Sequence, residues 1–369
     1  MKIRQHLESL PPYIPIEPFE VLSARIGRDP SQIIKLDANE NPYGPLPAVR
    51  EALGNLNFPH IYPDPESRVL RKSLEELTGV PSQYLMAGAG ADELIDLLMR
   101  VMLEPGDCVL SCPPTFGMYS FDGELNAARV IEVPRNKDFS LDMDAICKAV
   151  EIHQPKILFV ATPNNPDGSL LAAKIIDHLL DLPLLVVLDE AYIEFAGKNL
   201  GADLSRIREV PHRENLVVLR TFSKWAGLAG LRVGYGAFPS WLMPTLWKAK
   251  QPYNVNVAAS VAAQVSLEHV HELAQVVEQL KTERTRLFSA LQGITYLNPY
   301  PTQSNFILCQ VIGRDAAELK AQLEQKYGIF IRYFNKPGLH DHIRISVGRP
   351  EDTDTLLEAL NIESNVSRA

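Results

Sequence analysis

No apolar run in this sequence of 369 residues is long enough to cross a bilayer; the strongest, Leu182 to Leu188, is short and contains a proline. Lysine- and arginine-rich runs are also missing, and the formal net charge is −9. That balance lacks the basic footprint needed for nucleic acid or an anionic membrane surface, so neither is expected as a partner. A small anionic ligand in a local basic pocket stays compatible with it. Met1 to Leu10 carries charges and has no apolar core of signal-peptide length, which leads to the expectation of a cytoplasmic protein. Cysteine is scarce. Of Cys108, Cys112, Cys147 and Cys309 only the first two are close, and no second Cys or His pair completes a zinc spacing. The pairs His269/His271 and His340/His342 lack the spacing of two ligands on one helical face, so no metal is expected and the thiols read as free and buried. Internal repeats and low-complexity segments are absent as well.

What is present is an ordinary globular balance, 46% hydrophobic and 22% charged, on a chain long enough for one large domain and a smaller one. The first forty residues are irregular and proline-rich (Pro11, Pro12, Pro15, Pro18, Pro30) and read as an arm lying on something else. From about Tyr84 a strand–helix rhythm begins. Tyr84–Met86 precedes a helical pattern over Ala91–Leu103, with Leu94, Ile95, Leu97, Leu98, Val101 and Met102 on one face. The short, continuously apolar runs Cys108–Leu110, Ile157–Val160, Leu184–Leu188 and Leu216–Leu219 suit strands buried on both faces of a mostly parallel sheet. After about Asn254 the texture changes. Val257 to Leu291 predicts one long helical stretch, and Ser304–Gln310, Ala316–Tyr327, Ile329–Arg332, His342–Val347 and Asp352–Ile362 alternate as in a smaller α/β domain.

Four strand ends carry polar residues that packing does not require, and in open α/β sheets ligands gather beyond the carboxyl ends of strands. Tyr84–Met86 opens into Gly88-Ala89-Gly90-Ala91-Asp92 at a helix start, where small residues let a phosphate approach backbone N–H groups. Glu93 stands where a dinucleotide fingerprint needs glycine, and no ribose-binding acid is clearly placed. Ile157–Val160 runs into Asn164-Asn165-Pro166, Leu184–Leu188 into Asp189-Glu190-Ala191-Tyr192, and Leu216–Leu219 into Thr221-Phe222-Ser223-Lys224. Arg232 follows and offers a bidentate grip on the same phosphate, helped by the hydroxyls of Thr221 and Ser223. Asp189 can keep an aromatic nitrogen protonated, while Asn165 and Tyr192 can bond a ring oxygen. Lys224, its pKa depressed by burial and a nearby cation, is the amine that takes an aldehyde. Together these parts describe a site for pyridoxal 5′-phosphate, with Lys224, Asp189 and Tyr192 as the catalytic set.

The run from Ser223-Lys224 through Gly227-Leu228-Ala229-Gly230-Leu231-Arg232 to Gly234-Tyr235 resembles the lysine signature of fold-type I, class I/II pyridoxal-phosphate aminotransferases. Asp37-Ala38-Asn39-Glu40-Asn41-Pro42, Tyr62-Pro63, Gly90-Ala91-Asp92-Glu93, Pro114 to Tyr119 and Ile343 to Gly348 narrow the likeness to the histidinol-phosphate aminotransferase branch, over about Tyr13 to Arg349. The resemblance implies a fold-type I α/β architecture: residues 1–44 as an arm and part of the small domain, 45–254 as the large cofactor-binding domain, and 255–369 as an inter-domain helix and the small domain. It implies a homodimer whose sites are shared across the interface, acting on a phosphorylated amine and a 2-oxo acid. Tyr119 would stack on the cofactor ring, Tyr62 would reach the phosphate held by the neighbouring subunit, and Gly90, Ala91 and Asp92 would line the phosphate site. Arg344 and Arg332 would grip the substrate's acidic groups beside Asn165, and Tyr13 would help close that pocket. Phe116 stands where a tyrosine is frequent, and Ile14-Pro15-Ile16-Glu17-Pro18 lacks a glycine often found there. Sister reactions share most of these motifs, so an aromatic amino acid aminotransferase or a decarboxylase acting on threonine phosphate is the alternative. A ligand-sensing module would need a helix-turn-helix segment that the chain lacks.

Overall fold

A computed structural model describes residues 3–13 and 17–366; the Ile14–Ile16 part of the arm lies outside the described residues. The strands are β1 (Ile34–Leu36), β2 (Leu85–Gly88), β3 (Cys108–Ser111), β4 (Arg129–Glu132), β5 (Ile157–Ala161), β6 (Leu185–Asp189), β7 (Leu216–Thr221), β8 (Gly234–Ala237), β9 (Leu297–Pro299), β10 (Phe306–Val311), β11 (Ile329–Tyr333) and β12 (His342–Ser346). They form a seven-stranded sheet in the order β2-β8-β7-β6-β5-β3-β4 and a five-stranded sheet in the order β1-β11-β12-β10-β9. Among the described residues no helix is long and apolar enough to cross a membrane.

The larger sheet is parallel from β7 across β6, β5 and β3 to β4. Alternate residues of its central strands enter opposite cores, which explains their unbroken hydrophobicity. Leu158, Val160, Val186 and Leu188 pack on one side, and Ile157, Phe159, Leu185 and Val187 on the other. The helix Ala91–Met102 lays Leu94, Ile95, Leu97, Leu98 and Met99 on the second of these cores, within one residue of its expected end.

Three expectations need correction. The stretch from Val257 to Leu291 is two helices, Val257–Glu268 and Val270–Gln292, broken at His269, whose ψ of 30° departs from helical backbone. The N-terminal forty residues are more than an irregular arm: Phe19–Ile26 is helical, and β1 pairs in parallel with β11 of the five-stranded sheet. Finally, Gly234-Tyr235-Gly236-Ala237, given no strand in the sequence analysis, forms β8, antiparallel to both β2 and β7. A Cβ on Gly234 would come within 2.7 Å of the Ala91 nitrogen, and one on Gly236 within 2.7 Å of the Phe238 ring, so these glycines mark close approach rather than a turn.

The glycines of the lysine signature therefore do different work. Gly227 has φ +70°, and a Cβ there would lie 2.4 Å from the Gly44 carbonyl, whereas a Cβ on Gly230 meets nothing within 4 Å. Gly227→Ala is expected to destabilise by at least about 2 kcal/mol, from left-handed backbone plus overpacking. Gly230→Ala should stay within about 0.5 kcal/mol of the parent. Unfolding in urea, followed by circular dichroism, separates the two.

Candidate functional site

Asp189 is the last residue of β6, and its carboxylate accepts the Tyr119 hydroxyl at 2.6 Å and the Ala191 amide at 3.0 Å. Burial pushes this carboxyl up to about 6 despite those two bonds, and Asp92 and Glu190 push the same way. A buried acid so placed can hold one more proton donor, such as a protonated ring nitrogen. Tyr119 itself does not take the place expected of it. Its ring is 0% exposed and stacks on Phe159 at 5.1 Å, so it offers no free face to a ligand. Phe116, half-buried and edge-on to Tyr119 at 5.6 Å, is the aromatic ring next to it that keeps some exposure.

Lys224 follows β7 and is half-buried, its amine donating to the Ala38 carbonyl at 3.0 Å. Burial brings the amine down to about 8; the charge of Arg344 adds to the fall, while Glu40 and Asp92 oppose it. Glu40 is itself held by Lys35 at 2.9 Å. Beside the lysine, Thr221 donates its hydroxyl to Ser223 Oγ at 2.9 Å, and Arg232 Nη1 reaches the same oxygen at 3.4 Å. Arg232 also pairs through Nη2 with Asp92 at 2.8 Å. Gly90 has φ +84°, a backbone that side chains rarely adopt, and no side chain caps the helix that starts at Ala91. Arginine, hydroxyls and an uncapped helix start thus converge where an anion would sit.

The five-stranded sheet supplies the other wall. Arg332 on β11 and Arg344 on β12 are cross-strand partners. Arg344 Nη1 donates to Asn165 Oδ1 at 2.5 Å and Nη2 to the Asp37 carbonyl at 2.8 Å. Its guanidinium lies 5.1 Å from the Phe306 ring and 5.6 Å from Phe334, which also faces Arg332 at 5.9 Å. Burial, with the like charge of Arg332, lowers Arg344 to about 10, while Tyr192, Asp37 and Tyr13 oppose the shift. Tyr13 therefore lies within electrostatic reach of Arg344; its ring packs edge-on against Phe121 at 5.9 Å. Tyr192 is buried and packs edge-on against Phe306 at 5.1 Å. Burial raises its phenol, against the pull of Arg344 and of a hydrogen bond from Asn39.

Lys224, Asp189, Tyr192, Asn165, Thr221, Ser223, Arg232, Gly90, Ala91, Asp92, Arg332 and Arg344 are thus linked through contacts or fields around one region. Tyr62 stands apart within the chain, 79% exposed and stacked on Tyr253 at 4.6 Å. Two groups of residues given no role by the sequence support the site. Arg220 is buried with Glu190 at 3.0 Å and Glu194 at 3.7 Å, tying the ends of β6 and β7 together behind the site. Burial pushes Glu194 up to about 8, against the charge of Arg220. Asn39, Asn305 and Ser346 meet from segments far apart in sequence.

The family described as aminotransferase class I and II matches residues 31–360. The chain is 56% identical over 359 residues to a chloroplastic histidinol-phosphate aminotransferase of Nicotiana plumbaginifolia, covering 97% of this chain and 86% of that one. It is 50% identical over 366 residues to a histidinol-phosphate aminotransferase of Roseiflexus castenholzii, covering 97% of each. The crystal structure of a histidinol-phosphate aminotransferase from Sinorhizobium meliloti, in complex with pyridoxal-5′-phosphate, superposes with a TM-score of 0.90 at 27% identity, over 100% of this chain and 98% of that one.

The amine of Lys224 sets a first test. In protein freed of any bound aldehyde, acylation of Lys224 by an amine-specific reagent should rise with pH to a midpoint near 8, not the ordinary 10.5. Arg344→Gln should move that midpoint upward, because a like charge is removed. Pulsed labelling across pH, with mass spectrometry of the Lys224 peptide, measures both.

Proposed function

Because the chain belongs to the class I and II aminotransferases, we propose that it is a pyridoxal-phosphate enzyme that transfers an amino group between L-histidinol phosphate and 2-oxoglutarate in histidine biosynthesis. The observation that carries this reading is a cross-strand pair of arginines, Arg332 and Arg344, of which Arg344 lies within electrostatic reach of the half-buried amine of Lys224. The residues present fit the cofactor. Asp189 is a buried carboxyl whose hydrogen bonds come from Tyr119 and Ala191, neither of them a cation, and Arg232, Ser223 and the uncapped helix start after Gly90 offer the donors that a phosphate needs. The named relatives act on the same substrate, and one was solved with the same cofactor.

When bound, the cofactor supplies an electron sink for the bonds at the substrate's Cα. Asp189 holds the proton on the ring nitrogen. Lys224 Nζ would hold the cofactor through its aldehyde and, as a free amine, would move the proton at the substrate's Cα. An amine with a pKa near 8 suits that work, since it shifts between its forms close to neutral pH. Tyr192 and Asn165 bond the ring oxygen, and Phe116 takes the stacking place first given to Tyr119. Thr221, Ser223, Arg232 and the start of the helix at Ala91, with Asp92 beside it, hold the phosphate. Arg344 and Arg332 bind the substrate's phosphate or carboxylate, as the guanidinium fork suits both anions. Tyr13 closes the pocket from the arm.

The proposal includes a cytoplasmic homodimer with Tyr62 reaching the partner's phosphate site. The large exposure of Tyr62, with Phe58, Ile61 and Val69 also exposed near it in sequence, supports a covered surface there.

Lys224→Ala is expected to abolish turnover and the visible absorbance of the bound cofactor. In the parent enzyme, histidinol phosphate should convert that absorbance to the pyridoxamine form in a single half-reaction. A marked preference for an aromatic amino acid, or release of carbon dioxide from threonine phosphate, would instead establish one of the sister activities. The shared site is tested by mixing subunits: a hybrid of Lys224→Ala with Tyr62→Ala chains contains one intact site if Tyr62 acts across the interface. It should regain up to about half of parental activity, whereas action within one chain leaves the hybrid as weak as its parents.

A further inference from the structure

Three consecutive residues touch the three groups that do most at this site. The Asp37 carbonyl accepts Arg344 Nη2 at 2.8 Å, the Ala38 carbonyl accepts Lys224 Nζ at 3.0 Å, and Asn39 Nδ2 donates to the Tyr192 hydroxyl oxygen at 3.0 Å. Asn39 sits at φ +56°, in the left-handed region that asparagine tolerates better than most residues, and it is 1% exposed. Each of its polar groups is engaged. Its amide donates to Ser346 Oγ at 2.9 Å, the Ser346 hydroxyl donates back to Asn39 Oδ1 at 3.0 Å, and the Asn39 carbonyl accepts Asn305 Nδ2 at 2.9 Å. Ser346 lies two residues beyond Arg344 on β12, so this asparagine joins the strand that carries Arg344 to Tyr192.

The direction of the bond to Tyr192 has a chemical consequence. Ser346 fixes which end of the carboxamide faces which neighbour: Oδ1 is occupied by its hydroxyl, so the NH2 end faces Tyr192. The tyrosine oxygen then accepts from Asn39, and its own proton is left to point elsewhere, into the site. We propose that Asn39 is a positioning residue: by donating to the Tyr192 oxygen it commits the Tyr192 proton to the cofactor's ring oxygen, and so sets the pH at which the cofactor changes protonation. This rests on the cofactor reading above. Asn39 touches no reacting atom; it acts through Tyr192, with Ser346 holding its orientation.

The visible absorbance of the holoenzyme as a function of pH is the readout, alongside thermal stability. Asn39→Asp keeps the shape and the acceptor for Ser346 but replaces the donor with an acceptor, so the Tyr192 hydroxyl turns toward residue 39. Loss of a hydrogen bond to the ionised ring oxygen should then raise the spectral midpoint by about one pH unit or more, the size of one bond to a charged group. Ser346→Ala, which frees the carboxamide without touching Asn39, should shift it the same way by less. It also serves if Asn39→Asp does not fold. In a Tyr192→Phe background Ser346→Ala should not move the midpoint further, while Asn39→Asp keeps only the part of its shift that its added negative charge causes. A purely structural asparagine predicts a Ser346→Ala variant that melts earlier at an unchanged midpoint, and that result, or a Ser346→Ala shift that persists without the Tyr192 hydroxyl, overturns the proposal. Absence of any visible absorbance in the parent enzyme, by contrast, would count against the cofactor reading itself.

Discussion

Strands β5, β6 and β7 are covered on both faces, so the carboxyl end is the part of each that can turn polar groups toward a ligand. That constraint orders the rest of the site. Asp189 ends β6 and is satisfied from below by Tyr119, whose ring fills the space against Phe159. Thr221 ends β7 one turn of chain before Lys224. The buried pair of Arg220 and Glu190, with Glu194 beside it, lies just behind these ends, where unpaired charge would be costly and paired charge pins one strand to the next. The polar groups are few because each must be held by another buried group.

The second sheet contributes two further cations. Arg332 and Arg344 come from β11 and β12, while Asp189 and Asp92 come from the larger sheet and the helix beside it. Lys224 lies between them, and its basicity is tuned by Arg344 from across that boundary as well as by burial. The phenylalanines packed on Arg344 let two like charges sit on neighbouring strands, since a ring face is a tolerable neighbour for a guanidinium where another cation is not.

The parallel core was readable because strands covered on both faces leave unbroken apolar runs, and Lys224 with its glycine-rich companions was readable because those residues are adjacent in the chain. The strands themselves run slightly further than the apolar runs, taking in Asp189 and Thr221, since backbone pairing continues after hydrophobicity stops. β8 was not readable: glycine has low strand preference, and only the closeness of Ala91 and Phe238 explains it. The break at His269 left no Gly or Pro to mark it. Tyr119 was assigned to the wrong neighbour because sequence fixes its place on a helix but not which way the ring faces. Asn39 lay in a noted motif, yet its partners Tyr192, Asn305 and Ser346 are brought to it only by the tertiary fold.

The pairing of β1 with β11 has a consequence for biogenesis. Ile34 leaves the ribosome long before its partner Ile329 is made. Every strand of the larger sheet precedes residue 238, so that sheet can assemble while the chain is still growing. The segment from Ile34 to Asn39 must wait with its edge unpaired until β11 and β12 emerge. A nascent chain stopped short of Ser346 would thus carry Lys224 and Asp189 on a completed scaffold without the wall that holds Arg344 and Asn39. Such a chain gains the site only once β11 and β12 have joined that edge.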